Sequence, residues 1–247
     1  MKLRYEEMRP AELVAALEAR AVVYMPCGLL EWHGDHLPLG TDGLKAHAIC
    51  LMAAERTGGV VLPINWIGTH GFDLFTGGLV YERETVRRLM LATLGQIEKV
   101  GARVVVLLTG HYGEKQATLV KEVAAEVMRT SGMKVIAQAE YEGVLDERGE
   151  VPADHAGKWE TSFMLLFRPD LVKMDAFTTG EALVECYDLE DTGEADEASD
   201  AEFHAMQRKP WLWNEDLRAQ SSPERAAAVV ERIVERLARL VEEALGG

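Results

Sequence analysis

The sequence predicts an α/β protein, a three-layer α/β/α arrangement around a mainly parallel sheet, and three observations carry that reading. Four short apolar runs rich in Val and Ile, each bounded by Gly, Pro or a turn, have the length and continuity of strands covered on both faces. Helical patterns separate these runs one by one, the alternation that builds βαβ units with right-handed crossovers. With 247 residues, 48% of them apolar, there is material for one large core and too little for two comfortable ones, so residues 1–247 read as a single domain.

In chain order the first strand is AVVYM at 21–25, followed by a helical pattern at 43–57 and a second strand, VVLPI, at 60–64. A helix at 83–100, the strand RVVVLL at 103–108, a helix at 115–130 and the strand MKVIA at 133–137 complete the alternation. The last helix is the most clearly marked. Ser222 can cap it, Pro223 suits its first turn, and Val230, Ile233, Val234, Leu237, Leu240 and Val241 form one apolar stripe that should pack on the sheet. Between Cys186 and Glu202 the chain is acidic and poor in large apolar side chains, and 186–202 reads as a solvated loop or as a mobile lid. There is no internal repeat and no low-complexity linker.

A formal charge of −15 repels nucleic acid and anionic membrane surfaces alike, so a small-molecule substrate is the expected partner. Cys27, Cys50 and Cys186 are widely spaced and form no CxxC pair, which speaks for a reducing cytoplasm and against a disulfide framework or a thiolate zinc site. The charged N-terminal stretch lacks the apolar run of a secretory signal, and no segment approaches membrane-spanning length.

The chemistry gathers at the ends of the strands. The first strand runs into GLLEWHGDHLPLGTDG, 28–43, where Glu31, His33, Asp35, His36 and Asp42 crowd among glycines and prolines. Imidazole with carboxylate is a ligand set for Zn, Mn or Fe. Glu31 and His33, two apart, leave the same face of an extended stretch. The third strand ends in TGHYGEKQ, placing His111 at its carboxyl end, and after the fourth strand DHAGKWETSFMLL sets His155 at a helix entrance and Glu160 in the first turns. The carboxyl edge of an open parallel sheet is where ligands bind, and all these groups arrive there. For any one of them a hydrogen-bonded turn without a metal would be the simpler account; their coincidence at one edge argues for a site. His155 could instead cap the helix that follows, and His36 reads as a partner that orients a ligating carboxylate. His47, His204, Trp32, Trp159, Trp211 and Trp213 default to surface or packing roles, with 211–213 available for subunit contacts.

These motifs resemble those of the creatininase family. EWHGDHLPLGTD is similar to the family pattern E-Q-H-G-x-H-L-P-L-x-T-D, DHAGKWETS to H-A-G-x-x-E-T-S, and TGHYGE stands where the family has N-G-H-G-G-N or N-G-H-Y-E-N. In order, they cover about residues 20–160. The resemblance implies a creatininase-like fold holding two divalent ions, Zn with Mn or Fe as alternatives at one site. It implies Glu31, His33, Asp42 and His111 as ligands, with Asp42 bridging. Glu160 completes the second site, because the extra acid of creatininase falls at Gly113 here. His155 matches a histidine that acts in catalysis, and Glu114 competes for the role of the additional acid. His36, His70, Asp73 and Tyr112 are the implied substrate-side or supporting residues.

The implied reaction is hydrolysis of a C–N bond in a cyclic or linear, non-peptide amide by water activated between the two cations, with His155 as imidazolium protonating the leaving nitrogen. Ring-opening of a keto-cyclitol and a non-catalytic, metal-containing metabolite-binding protein are the alternatives. The family also implies a homo-oligomer, often a hexamer. Thr109 and Glu114 replace the usual Asn residues, and Val151 and Pro152 replace a Trp–Asp pair of creatininase, so creatinine itself is not the expected substrate.

Overall fold

The computed structural model describes residues 2–73, 75–177 and 216–246. The acidic stretch 186–202, Cys186, His204, Trp211 and Trp213 lie outside the described residues, and with them the expectations of a loop or lid and of subunit contacts.

Among the described residues, four parallel strands form the sheet in the order β2-β1-β3-β4: β1 (Val22–Cys27), β2 (Val60–Val61), β3 (Val104–Thr109) and β4 (Lys134–Ala139). Between and around them lie α1 (Pro10–Ala19), α2 (Thr41–Thr57), α3 (Arg83–Lys99), α4 (Glu114–Thr130), α5 (Lys158–Phe167), α6 (Leu217–Gln220) and α7 (Pro223–Gly246). β1 and β3 are buried at every position, as their unbroken apolar runs predict, because helices cover both faces. Their side chains alternate between two cores. Val23, Met25, Val105 and Leu107 meet residues of α1, α3 and α4 on one face; Val22, Tyr24, Val104, Val106 and Leu108 meet α2, α5 and α7 on the other.

β2 is shorter than its sequence run. Pro63 has no N–H to give to a ladder, and the chain follows the edge of β1 through single bonds, Leu62 N–H to Tyr24 O at 2.9 Å and Asn65 N–H to Pro26 O at 2.9 Å. α7 begins as expected: Ser222 Oγ accepts the Arg225 N–H at 3.2 Å with Pro223 in first position. Val229, Val230, Ile233, Val234, Leu237 and Val241 are buried on its inner face, while Leu240 is only half-buried. Among the described residues no helix is long and apolar enough to cross a membrane.

Candidate metal centre

All the strand-end loops discharge at one edge. Glu31 and His33 follow β1, Asp42 is the second residue of α2, His111 lies two residues past β3, and Glu160 is the third residue of α5. α2 starts two residues earlier than its apolar pattern, so Asp42 is a first-turn residue whose carboxylate faces the helix N-terminus. Glycine lets these segments touch. A Cβ on Gly28 would stand 2.2 Å from Gly43 N, and one on Gly110 would stand 2.1 Å from Asp42 O, so the main chains of β1, α2 and the β3 exit meet with no side chain between them.

The two central imidazoles are locked in complementary tautomers. His33 Nδ1 lies 3.1 Å from Glu31 O, and His111 Nε2 lies 2.8 Å from His70 O. A carbonyl only accepts, so these nitrogens carry hydrogens, and the opposite ones are those that would present lone pairs to an ion once their protons are released. His33 Nε2 is 3.1 Å from Asp42 Oδ1 and 3.3 Å from Glu160 Oε2; His111 Nδ1 is 2.9 Å from Glu31 Oε1 and 3.4 Å from Asp42 Oδ2. Asp42 thus turns one oxygen to each imidazole. Ligand atoms of Glu31, Asp42 and His111, of His33, Asp42 and Glu160, and of Glu31, His33 and His155 each lie within 4.8 Å of one another. Donors bonded at about 2.1 Å in a tetrahedral shell stand about 3.4 Å apart, so these groups are close enough together to share an ion. Mixed imidazole and carboxylate donors suit Zn, Mn or Fe, and the residues present fit a pair of divalent ions.

The electrostatics agree. Glu31, His33, Asp42, His111 and Glu160 are at most 5% exposed, and three carboxylates so deep in a protein need cations. Burial opposes protonation of both imidazoles, yet Glu160 and Asp42 hold His33, and Glu31 and Asp42 hold His111, well above the usual histidine range. Burial likewise opposes ionisation of Glu160, but Lys45 and His33 bring it down to about 2. The acids therefore take protons on their imidazole neighbours when no metal competes, and metal uptake would release them.

His155 stands beside this set. Its Nε2 is 2.8 Å from Trp32 O, and its Nδ1 lies 3.9 Å from Glu31 Oε1. Its ring lies 4.5 Å from that of His33 and 4.1 Å from that of Phe72, and Trp32 stacks on Phe75 behind them at 4.7 Å. Burial, then His33, push its pKa below the ordinary value, which favours the neutral imidazole at rest. Nor does it cap α5. Asp154 does that, accepting the N–H groups of Trp159 at 2.8 Å and Glu160 at 3.1 Å. Ala156, at φ 49°, then gives its N–H to Glu160 Oε2 at 2.7 Å.

The other sequence candidates are placed unevenly. His70 serves through its main chain, at φ 59°, as the acceptor that orients His111. Tyr112 gives its hydroxyl to Glu140 Oε1 at 2.6 Å, below the donors. His36 Nε2 pairs with Thr161 Oγ1 at 3.0 Å, which ties it to α5 next to Glu160. Asp73 is half-buried in the turn after Phe72, whose N–H holds Glu31 Oε2 at 3.0 Å, and it enters none of the donor groups. Glu114 departs from expectation: it opens α4 in an exposed position outside those groups, because the helix begins at that residue and turns its side chain to solvent.

Lys45, Glu140 and Asp154 were not among the candidates. Lys45 had a visible signal, since it falls on the face of α2 that carries Asp42, Ala46, Ile49 and Ala53 into the interior. Glu140 follows β4 directly, the same strand-end position that singled out His111.

A family model described as Creatininase, creatinine amidohydrolase, matches residues 6–241. The creatinine amidohydrolase of Pseudomonas putida is 31% identical over 175 residues, covering 62% of this chain and 67% of that protein. A mycofactocin precursor peptide peptidase of Mycolicibacterium smegmatis is 31% identical over 171 residues, covering 64% of this chain and 63% of that protein. The matches thus span about two thirds of the length of these relatives. Among solved structures, a creatininase superposes with a TM-score of 0.76 at 22% identity, covering 98% of this chain and 97% of the other. A Zn–Zn form of a creatininase mutant gives 0.76 at 23% identity, covering 98% of each chain, and an Mn creatininase gives 0.74 at 22%, with the same coverage.

Proposed function

Because this chain belongs to the creatininase family, we propose that it is a metal-dependent amidohydrolase that cleaves a C–N bond of a small cyclic or linear amide. The observation that carries the reading is the set of three imidazoles, each donating one N–H to a main-chain carbonyl and turning its other nitrogen to a shared group of buried carboxylates. Glu31, Asp42 and His111 would hold one ion and His33, Asp42 and Glu160 the other. When bound, the ions supply Lewis acidity and lower the cost of deprotonating water.

The chain's own groups do the rest. His155, through the Nδ1 that faces the Glu31 side of the site, takes up the proton released as water attacks the amide carbon, and returns it to the nitrogen that leaves. Its Nε2–H bond to Trp32 O fixes which nitrogen does this. Trp32, Phe72 and Phe75, all at most 6% exposed, form an apolar wall behind the ring that keeps bulk water from competing for that proton. A specific relative favours a second reading within the same chemistry, namely that the amide belongs to a peptide, as the name of the Mycolicibacterium smegmatis protein says of that protein. The enzyme is proposed to act as one domain, in the cytoplasm, as a homo-oligomer of hexameric kind.

The test is removal of the metal. Elemental analysis of native protein is expected to return two ions of Zn, Mn or Fe per chain. Chelation should abolish turnover of whichever compound proves active in a panel of formamides, cyclic amides, short peptides and a keto-cyclitol, and restoring the metal should bring it back. Full turnover by the stripped protein would end the proposal.

A further inference from the structure

The reading above leaves Lys45 unused, although it is fully buried next to the donors. An ammonium in the interior is costly unless every N–H finds an acceptor. Lys45 Nζ lies 2.6 Å from Gly110 O, 2.9 Å from Glu140 Oε1 and 2.9 Å from Glu160 Oε1, and its remaining side faces the Tyr112 ring, 3.5 Å from the centroid. The ammonium thus donates a hydrogen bond to Gly110 O and lies in ion-pair contact with both carboxylates. The three acceptors belong to three different segments: the β3 exit, the end of β4, and α5. Lys45 itself sits on α2 one turn from Asp42, so a single side chain ties together the segments that deliver Asp42, His111 and Glu160.

The two donor groups differ in their dependence on this tie. Glu31 is held by the Phe72 N–H at 3.0 Å and His111 by His70 O at 2.8 Å, neither through Lys45. Glu160, in contrast, gives Oε1 to Lys45, and Oε2 is the oxygen left 3.3 Å from His33 Nε2. Glu140 supplies a countercharge and is itself held by the Tyr112 hydroxyl at 2.6 Å, so Lys45 and Glu140 form a near-neutral pair beneath the site. Removing the two charges of this pair together therefore isolates the geometric part of what Lys45 does to the site.

We propose that Lys45 is a positioning residue: by engaging one oxygen of Glu160 it aims the other at His33 and Asp42, and so builds the second of two unequal cation sites. This rests on the two-ion reading above. Outer-sphere partners that orient a ligand change metal affinity by about 10–100-fold on removal.

The variant Lys45→Met combined with Glu140→Gln removes both charges together and keeps the shapes, and circular dichroism with a melting curve of the metal-free protein establishes its fold. Titration with Zn²⁺ against a chromophoric chelator is expected to show a first equivalent within about twofold of wild type and a second weakened about 10–100-fold. Two unchanged equivalents, or two that weaken together, overturn the proposal. In the unaltered protein the Lys45 ammonium, shielded by Tyr112, should give a slowly exchanging ¹⁵Nζ–H signal that moves on addition of the second equivalent of Zn²⁺. A signal that moves with the first equivalent, or never, overturns it without any variant. Wild-type protein that binds no more than one ion overturns the two-ion reading and this proposal with it, which separates that failure from a failure of Lys45 alone.

Discussion

On the faces of the sheet Val106, Leu108 and Ile233 are buried among hydrocarbons, whereas a few residues past the same strands Glu31, His33 and His111 are as deeply buried among charges. The difference lies in how each region tolerates loss. An apolar neighbour removed from the first leaves a cavity whose cost grows with its volume. A partner removed from the second leaves a charge or a donor stranded, and the whole group must rearrange or change protonation. The layers are therefore graded in their response, and the carboxyl edge is nearly all-or-none.

Substitution at Asp42, the proposed bridge, should break the comparison hardest. Asp42→Asn keeps the shape of the side chain that turns an oxygen to each imidazole, and is expected to lower kcat/KM about a thousandfold or more, since loss of metal assistance is worth several kcal/mol. Metal content should fall in parallel, and normal metal content with normal rate would refute the bridging role. His155→Ala comes next. It should reduce kcat about a hundredfold or more while elemental analysis stays at the wild-type value, because the ring lies beside the five proposed ligands and is not needed to hold the ions. A drop in metal content equal to the drop in rate would move His155 into the ligand set.

In the apolar layer, Leu237→Ala on the inner face of α7 should cost about 2–5 kcal/mol in denaturant-induced unfolding with little change in kcat of the folded protein. A large loss of kcat at unchanged stability would erase the contrast between the two regions. The smallest effect lies at a polar atom inside that layer. Burial pushes the Tyr24 phenol, paired with Thr57, up to about 12. Its folded pKa is above the unfolded value of about 10, so its contribution is complete below pH ~10 and is lost as pH rises toward ~12, at up to about 1.4 kcal/mol per unit. The stability difference between wild type and Tyr24→Phe should shrink across that window, and a flat difference would rule the linkage out.

The same contrast governs what could be read in advance. Strands β1 and β3 were legible because a strand covered on both faces must be apolar at every position, and the α7 stripe because a helix on a sheet must repeat at its own period. β2 was overread because apolar content continues after the regular ladder ends at Val61, where only single bonds from Leu62 and Asn65 still tie the chain to the edge of β1. Within the site, ligand-type residues at strand ends were legible by residue type and position. Lys45 and Glu140 were not, since a lysine or glutamate in one sequence is ordinarily a solvated residue, and only three-dimensional pairing makes its burial affordable. Glu114 shows the opposite case: it stands exposed as the first residue of α4, outside the candidate donor groups.

The contact of main chains at Gly28, Gly43 and Gly110 carries one more consequence. Where backbone lies on backbone, the spacing between Asp42 and the imidazoles is inherited from the sheet, and no local loosening can alter it without parting β1 from β3. Opening of the site and global unfolding should then be one event. Amide hydrogens of residues 28 and 110 should exchange only as slowly as those in the centre of β3, and the ions should leave the protein in a single cooperative step.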